Sequence, residues 1–381
     1  MVYEPQEDSF LLKEFVARYA RGNVLDMGTG SGIQAREAAH SAKVSRVLAV
    51  DIDKGSLAYA KKHSNGKWHR KISWLHSDLF SKVPPKKYAH TFDTIIFNPP
   101  YLPQEGRFRH IDLEGGKEGH ETIARFLEGA SHYLKKDGQI LLVFSSLTPH
   151  VRELVEKNLY VAEELGKKHV FFEDVIVWLL RPNPAGAELD GKGVCCLRYF
   201  AQGKRGLVFV GKRAGKAVAV KIKKQSSESP TGVAHEAAML RIVNKEGIGP
   251  KFILSTEHAL VYEFVRGKLL REIREKNELV GVAMKVLNQC FTLDRLQINK
   301  QEMTRPWKHV IVKGSKVTMI DFERARKTSS PHNVTQFCQF IGNNLDRKHK
   351  KKWVALAKGY SEDKSEMALK KMQEVLRALR N

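Results

Sequence analysis

A chain of 381 residues is too long for one ordinary domain and sufficient for two, each able to bury its own core. A hydrophobic fraction of 42% with 28% charged residues is usual for soluble protein, and no apolar run approaches the roughly 20 residues that span a bilayer, which excludes a membrane-spanning helix. The net charge of +23 favours polyanions such as ribosomal or transfer RNA, or else marks a Lys-rich solvated surface; composition alone leaves both open.

The opening Met1-Val2-Tyr3-Glu4-Pro5 lacks the basic-then-apolar layout of a secretory signal, so residence in the cytoplasm is expected. Cys195, Cys196, Cys290 and Cys338 show no C-x-x-C spacing and read as reduced thiols, mainly core filler. Through residues 1–182, β-rich runs at 23–26, 46–51, 92–97, 139–144 and 175–180 alternate with amphipathic helical stretches. That alternation predicts an α/β fold with a doubly wound, mostly parallel sheet.

Within the first of these units, Val24-Leu25-Asp26-Met27-Gly28-Thr29-Gly30-Ser31-Gly32 is a strand that breaks into a glycine turn ahead of a helix near Ile33. Its G-x-G-x-G spacing differs from the G-x-G-x-x-G that seats a pyrophosphate, which points away from NAD. Asp51 ends the next strand, placed to accept from ribose hydroxyls, and Asp78 closes a third segment, placed to accept from an adenine amino group. Asn98 closes a fourth.

Asn98-Pro99-Pro100-Tyr101 is the most specific signal in the chain. Consecutive prolines stiffen the loop and leave its carbonyls free for a ligand. The Asn amide offers a donor and an acceptor that can clamp a planar N–C=O or N–C=N group, and Tyr101 adds a flat face.

These motifs in this order resemble the HemK/PrmC family of release-factor glutamine methyltransferases and, more distantly, the amino-methylating DNA methyltransferases. The opening Val2-Tyr3-Glu4-Pro5-Gln6-Glu7-Asp8-Ser9-Phe10-Leu11-Leu12 and the later Gly115-Gly116-Lys117-Glu118-Gly119 resemble the short archaeal and eukaryotic branch of that family. The resemblance implies a seven-stranded Rossmann-like sheet and S-adenosylmethionine as cofactor, contacted by Ser9, Asp26, Gly28, Gly30, Asp51, Asp78, Leu79 and Asn98. It implies Asn98, Pro99, Pro100 and Tyr101 as the catalytic loop, a release factor as substrate, and a small zinc-binding activator subunit as partner. Acceptors at Asn98 and the Pro99 carbonyl would orient an amide nitrogen toward the methyl group without a dedicated base. By its own chemistry the loop also accepts an adenine amino group, so an RNA or DNA amino-methyltransferase stays open.

Two prolines and a glycine in Arg181-Pro182-Asn183-Pro184-Ala185-Gly186, followed by Gly191 and Gly193, stop regular structure, and residues 183–192 are read as a linker. Residues 193–345 then show glycine-punctuated strands, including Gly203-Lys204-Arg205-Gly206, before a helical run near Glu236. Lys221 on a strand, Glu236 on the helix and Asp321 in Met319-Ile320-Asp321-Phe322-Glu323 follow the layout of a kinase N-lobe and metal site. The segment resembles the small atypical kinases of the Rio and Bud type, which implies a small α+β domain binding ATP, with magnesium on Asp321, and makes a serine/threonine kinase a further alternative. It departs from them in carrying Lys300-Gln301-Glu302 in place of His-Gly-Asp and His309 in place of a later Asn, so Glu302 is the candidate base and His309 a candidate metal ligand. Residues 346–381, rich in Lys and Arg with apolar residues at helical spacing, read as one basic amphipathic tail helix.

Overall fold

The computed structural model describes residues 4–103, 114–225, 227 and 232–380; Val2 and Tyr3 of the opening motif lie outside the described residues. The chain divides into two compact units, Met1–Ala187 and Glu188–Asn381. No helix among the described residues is long and apolar enough to cross a membrane.

In chain order the first unit contains α1 (Glu7–Tyr19), β1 (Gly22–Met27), α2 (Ile33–His40), β2 (Val44–Asp51), α3 (Lys54–Lys62), β3 (Ile72–His76), α4 (Pro85–Tyr88), β4 (Phe92–Phe97) and the short strands β5 (Leu102–Pro103) and β6 (Glu114–Gly116). It continues with α5 (Glu121–Ala130), β7 (Leu134–Ser145), α6 (Val151–Lys157), β8 (Tyr160–Val170), β9 (Glu173–Pro182) and α7 (Pro184–Asp190), which runs past the division between the units. Seven strands form one sheet in the order β3-β2-β1-β4-β7-β9-β8, all parallel except β9. The period of two in a strand builds a core on each face. Leu25, Ile95, Phe97, Ile140, Leu142, Trp178 and Leu180 enter one, while Val24, Ile96, Leu141, Val143, Val177 and Leu179 enter the other.

The segment 183–192 is not a structureless linker. Pro184 opens α7, where the missing amide hydrogen costs nothing because the first turn of a helix has no partner for it. Asn183 Oδ1 accepts from Ala185 N at 3.0 Å.

The second unit begins with an antiparallel sheet in the order β10-β11-β12-β14-β13, made of β10 (Val194–Gln202), β11 (Gly206–Arg213), β12 (Lys216–Lys223), β13 (Phe252–Ser255) and β14 (Ala259–Glu263). Helix α8 (Val233–Val243) lies between β12 and β13 in the chain. Beyond it come β15 (Lys268–Leu269), α9 (Lys276–Arg295), β16 (Ile298–Asn299), β17 (Val310–Lys313), β18 (Lys316–Met319), β19 (Arg326–Lys327) and α10 (Asn333–Asn344). Val280, Ala283, Leu287 and Cys290 give α9 its buried stripe at helical spacing. Cys290 and Cys338 are core residues as read from the sequence, whereas Cys195 and Cys196 are exposed.

The tail differs from expectation. It forms two helices, α11 (Lys350–Asp363) and α12 (Glu366–Ala378), because Lys364 takes a left-handed φ of 48° and Ser365 Oγ caps the next helix through Ala368 N. Trp353, Tyr360, Leu369, Met372 and Leu376 belong to the same core as α8, α9 and α10. The tail is therefore part of the second unit.

Candidate active site

Parallel strands present their C-terminal ends along one edge, and the order reverses between β1 and β4. A cavity of about 220 Å³ opens there. Of the residues singled out in the first unit, Ser9, Gly28, Gly30, Asp51, Asp78, Leu79, Asn98, Pro99, Pro100 and Tyr101 line it. Asp26 does not.

Gly28, Gly30 and Gly32 take φ of 63°, 53° and 80°, which turns the chain sharply from β1 into α2. A Cβ on Gly32 would stand 2.9 Å from Ala60 Cβ and 3.0 Å from Arg36 Nη1. Gly32→Ala therefore meets both a strained φ and a clash with a packed helix, and its unfolding midpoint in urea should fall by the equivalent of about 1–3 kcal/mol.

Asp51 supports that turn: Oδ2 accepts from Gly30 N at 2.8 Å and Oδ1 from Asp53 N at 2.8 Å. These bonds orient the carboxylate at the cavity wall. Asp78 is held by Arg125, whose Nη2 donates to Oδ2 at 2.7 Å across a solvent-exposed pair. Such a bridge fixes direction more than stability. Leu79 follows with a positive φ of 44°.

Asp26 lies behind the turn, 1% exposed, accepting from Thr29 Oγ1 at 2.6 Å. Burial is the main reason its pKa rises from 3.8 to about 7, with the Thr29 bond opposing and Asp51 adding. The sign follows from proton linkage: between pH 3.8 and about 7 the folded state holds a proton that the unfolded chain has released, so this group's contribution to stability falls as pH rises through that window. At 1.36 kcal/mol per decade of proton affinity the loss reaches roughly 4 kcal/mol. Thermal unfolding of Asp26→Asn should lack this decline between pH 4 and 7 while wild type shows it.

The centre of the site is a clasp between the start of α1 and the loop after β4. Asn98 Nδ2 donates to Asp8 Oδ2 at 3.0 Å and to Ser9 Oγ at 3.3 Å, and Tyr101 Oη donates to Asp8 Oδ2 at 3.4 Å. Thr148 Oγ1 donates to the Tyr101 carbonyl at 3.0 Å, which ties the loop to the end of β7. With its amide nitrogen so committed, Asn98 directs the oxygen the other way. Oδ1 is buried and has no hydrogen-bond partner among the described residues. Asp8, 5% exposed, is the member that the sequence reading missed. Its only local signal is an acid in the first turn of α1, the ordinary place for an acid that favours a helix dipole.

Residues 7–172 match the methyltransferase small domain family. A protein assigned as a protein N5-glutamine methyltransferase in Methanocaldococcus jannaschii is 37% identical over 185 residues, which cover 46% of this chain and 89% of that protein. The chain belongs to this methyltransferase family. A release factor glutamine methyltransferase of Rhodopirellula baltica is 36% identical over 147 residues, 35% of this chain, and here the chain spans only 49% of the relative's length. Among solved structures, the E. cuniculi Mtq2–Trm112 complex responsible for methylation of the eRF1 termination factor aligns over 48% of this chain and 99% of that one, with 22% identity and a TM-score of 0.38. The methyltransferase match lies within the first unit.

In the second unit Lys221 sits among three carboxylates: Glu236 Oε2 at 2.7 Å, Glu323 Oε2 at 3.0 Å and Asp321 Oδ1 at 3.1 Å. Burial alone would depress the ammonium, but the charges of Glu236 and Asp321 outweigh it and raise its pKa. Glu236 Oε1 also accepts from Phe322 N at 3.0 Å. Lys221, Glu236 and Asp321, singled out in the sequence, come together here, and Glu323 joins them. The adjoining cavity holds about 20 Å³, room for about one water, and the Arg205–Glu323 pair at 3.2 Å borders it. Glu302 and His309 come together with Asp321 on the other side of the Asp321 carboxylate.

Proposed function

We propose that the first unit transfers a methyl group from S-adenosylmethionine to the side-chain amide nitrogen of a glutamine, with a peptide chain release factor as the substrate protein. The observation that carries this reading is the buried Oδ1 of Asn98 beside the cavity, without a hydrogen-bond partner among the described residues while its amide nitrogen is committed to Asp8 and Ser9. The cavity also fits the cofactor's chemistry, with a glycine turn for close backbone approach and the Asp51 carboxylate on its wall as a hydroxyl acceptor. When bound, S-adenosylmethionine supplies an electrophilic methyl group on a sulfonium sulfur.

The residues of this chain do the orienting. A glutamine amide is a weak nucleophile because its lone pair is delocalised, so its geometry decides the rate. Asn98 Oδ1 and the Pro99 carbonyl accept its two N–H groups. Both acceptors strengthen as positive charge develops on nitrogen, and neither has to reorganise. Tyr101 closes the wall beside them. Burial of Asn98 against Asp8 removes the water that would compete for the same acceptor.

The test is incubation of the purified chain with labelled S-adenosylmethionine and release factor, with and without a small zinc-binding activator subunit, followed by mass spectrometry. Label on a glutamine supports the reading. Label on an adenine or cytosine amino group of added RNA or DNA, with none on protein, overturns it in favour of nucleic-acid methylation. The +23 charge supports a looser association with RNA or the ribosome, measured as binding that weakens steeply with salt.

Nucleotide binding by the second unit is a separate reading. The Lys221–Glu236–Asp321 arrangement supports it, and the 20 Å³ cavity opposes it. Calorimetric titration of magnesium-ATP into wild type and Lys221→Ala decides: no heat in either sinks the reading.

A further inference from the structure

Asp321 has two differently occupied oxygens. Oδ1 faces the Lys221 ammonium at 3.1 Å, while Oδ2 faces His309 Nδ1 at 3.6 Å. Glu302 is divided in the same way, with Oε1 3.5 Å from Arg324 Nη1 and Oε2 3.5 Å from His309 Nε2. One oxygen of each carboxylate is thus tied to a cation, and the other is turned toward a single imidazole ring. The distances to the ring exceed those of hydrogen bonds, and His309 Nδ1 is buried with no hydrogen-bond partner among the described residues.

We propose that Glu302, His309 and Asp321 form a binding site for a divalent transition-metal ion, with one imidazole nitrogen and two carboxylate oxygens as its protein ligands. One donor atom from each residue falls within a 4.8 Å envelope. Donors held about 2.1 Å from a tetrahedral ion stand roughly 3.4 Å apart, and because Glu302 and Asp321 face opposite nitrogens of the ring, binding requires the ring to turn and one carboxylate to swing to the nitrogen that faces the other. Two carboxylates balance the charge of the ion. The ring enters as a neutral ligand. Lys221 and Arg324 act as outer partners that aim the carboxylates.

The backbone is committed to this arrangement. Gln301, Glu302 and Asp321, none of them glycine, take φ of 62°, 62° and 65°. Such conformations persist where surrounding structure over-determines them. Here the fully buried Lys300 donates through Nζ to the Asp321 carbonyl at 2.8 Å and through its backbone N to Asn333 Oδ1 at 2.8 Å, which joins the two ligand-bearing loops. Asn333 is in turn anchored on the buried Asp294.

The donor set also selects the metal. Magnesium prefers all-oxygen octahedra and dehydrates reluctantly, whereas an imidazole nitrogen favours manganese, cobalt or zinc. The neighbouring carboxylate group of Glu236, Asp321 and Glu323 already holds the Lys221 ammonium and needs no ion. This assignment is independent of methyl transfer by the first unit, and it shares Asp321 with the nucleotide-binding reading of the second.

The experiment uses the full chain, freed of metal with a chelator and titrated with Mn²⁺ under electron paramagnetic resonance. The expected result is one tight site per chain, not displaced by equimolar Mg²⁺, whose pulsed spectrum shows ¹⁴N coupling from an imidazole. His309→Ala should weaken Mn²⁺ by about tenfold or more. His309→Asn, which substitutes a hard oxygen donor, should lose most of the preference over Mg²⁺. Glu302→Gln gives a second variant where His309→Ala is poorly folded by thermal melt, and it should likewise weaken Mn²⁺. Absence of ¹⁴N coupling in wild type, displacement by equimolar Mg²⁺, or unchanged Mn²⁺ affinity in His309→Ala and Glu302→Gln would overturn the assignment.

Discussion

Replacing Asn98 with alanine lowers the rate constant for methyl transfer by about 10²–10³, the scale for losing one preorganised acceptor aimed at the reacting group. The fold is expected to survive. Asn98 Nδ2 makes two bonds, to Asp8 and Ser9, but its Oδ1 makes none within the described protein, so truncation removes little structure and the whole uncommitted acceptor. Single-turnover transfer of labelled methyl groups reads the rate, and a thermal melt within a few degrees of wild type verifies the fold. Asp8→Ala is the informative companion. It leaves Asn98 in place but frees its amide to rotate, so the rate should fall by a smaller factor, about tenfold, with binding of S-adenosylmethionine largely kept. A rate unchanged in Asn98→Ala removes the basis for the proposed chemistry. A rate unchanged only in Asp8→Ala removes the clasp and leaves the rest.

The largest loss of stability is expected from Lys221→Ala. The ammonium neutralises Glu236, whose side chain is 4% exposed, together with Glu323 and Asp321. Removing it leaves like charges facing one another, with Glu236 and Glu323 little exposed. Breaking a buried pair on one side costs about 3–5 kcal/mol, because the stranded charge has lost both its partner and its water. The unfolding transition of the second unit in urea should shift accordingly. Glu236→Ala added to Lys221→Ala should restore part of the loss, so that the double variant is less unstable than the sum of the singles by about 1–3 kcal/mol. Additive losses would mean that the Lys221–Glu236 contact contributes little.

How far the sequence carries depends on whether the relevant physics is local. A strand's period of two and a helix's period near 3.6 are local, and so the runs at 23–26, 46–51, 92–97 and 175–180 fall within β1, β2, β4 and β9. The φ demanded of Gly28 and Gly30 and the stiffness of Pro99-Pro100 are local too, and these positions line the cavity. Strand β8 escaped the reading because it is an edge strand carrying Glu163, Glu164, Lys167 and Lys168, with little apolar alternation to reveal it. Pro184 was read as a stop when it is a start, since a proline's effect depends on which helical turn it occupies.

By itself the sequence determined the mostly parallel sheet, the glycine turn and the Asn98 loop, each of which rests on residues within a few positions of one another. The tertiary structure alone decided which groups those loops meet. It brought Asp8 to Asn98 across 90 positions, withdrew Asp26 behind the turn, joined Tyr360 to Asp294 and so folded the tail into the second core, and set Glu302 and Asp321 around one imidazole. No periodicity encodes such pairings. They arise when packing of distant apolar faces fixes two loops in space, and only then do the burial, charge and free lone pairs of their polar groups acquire chemical meaning.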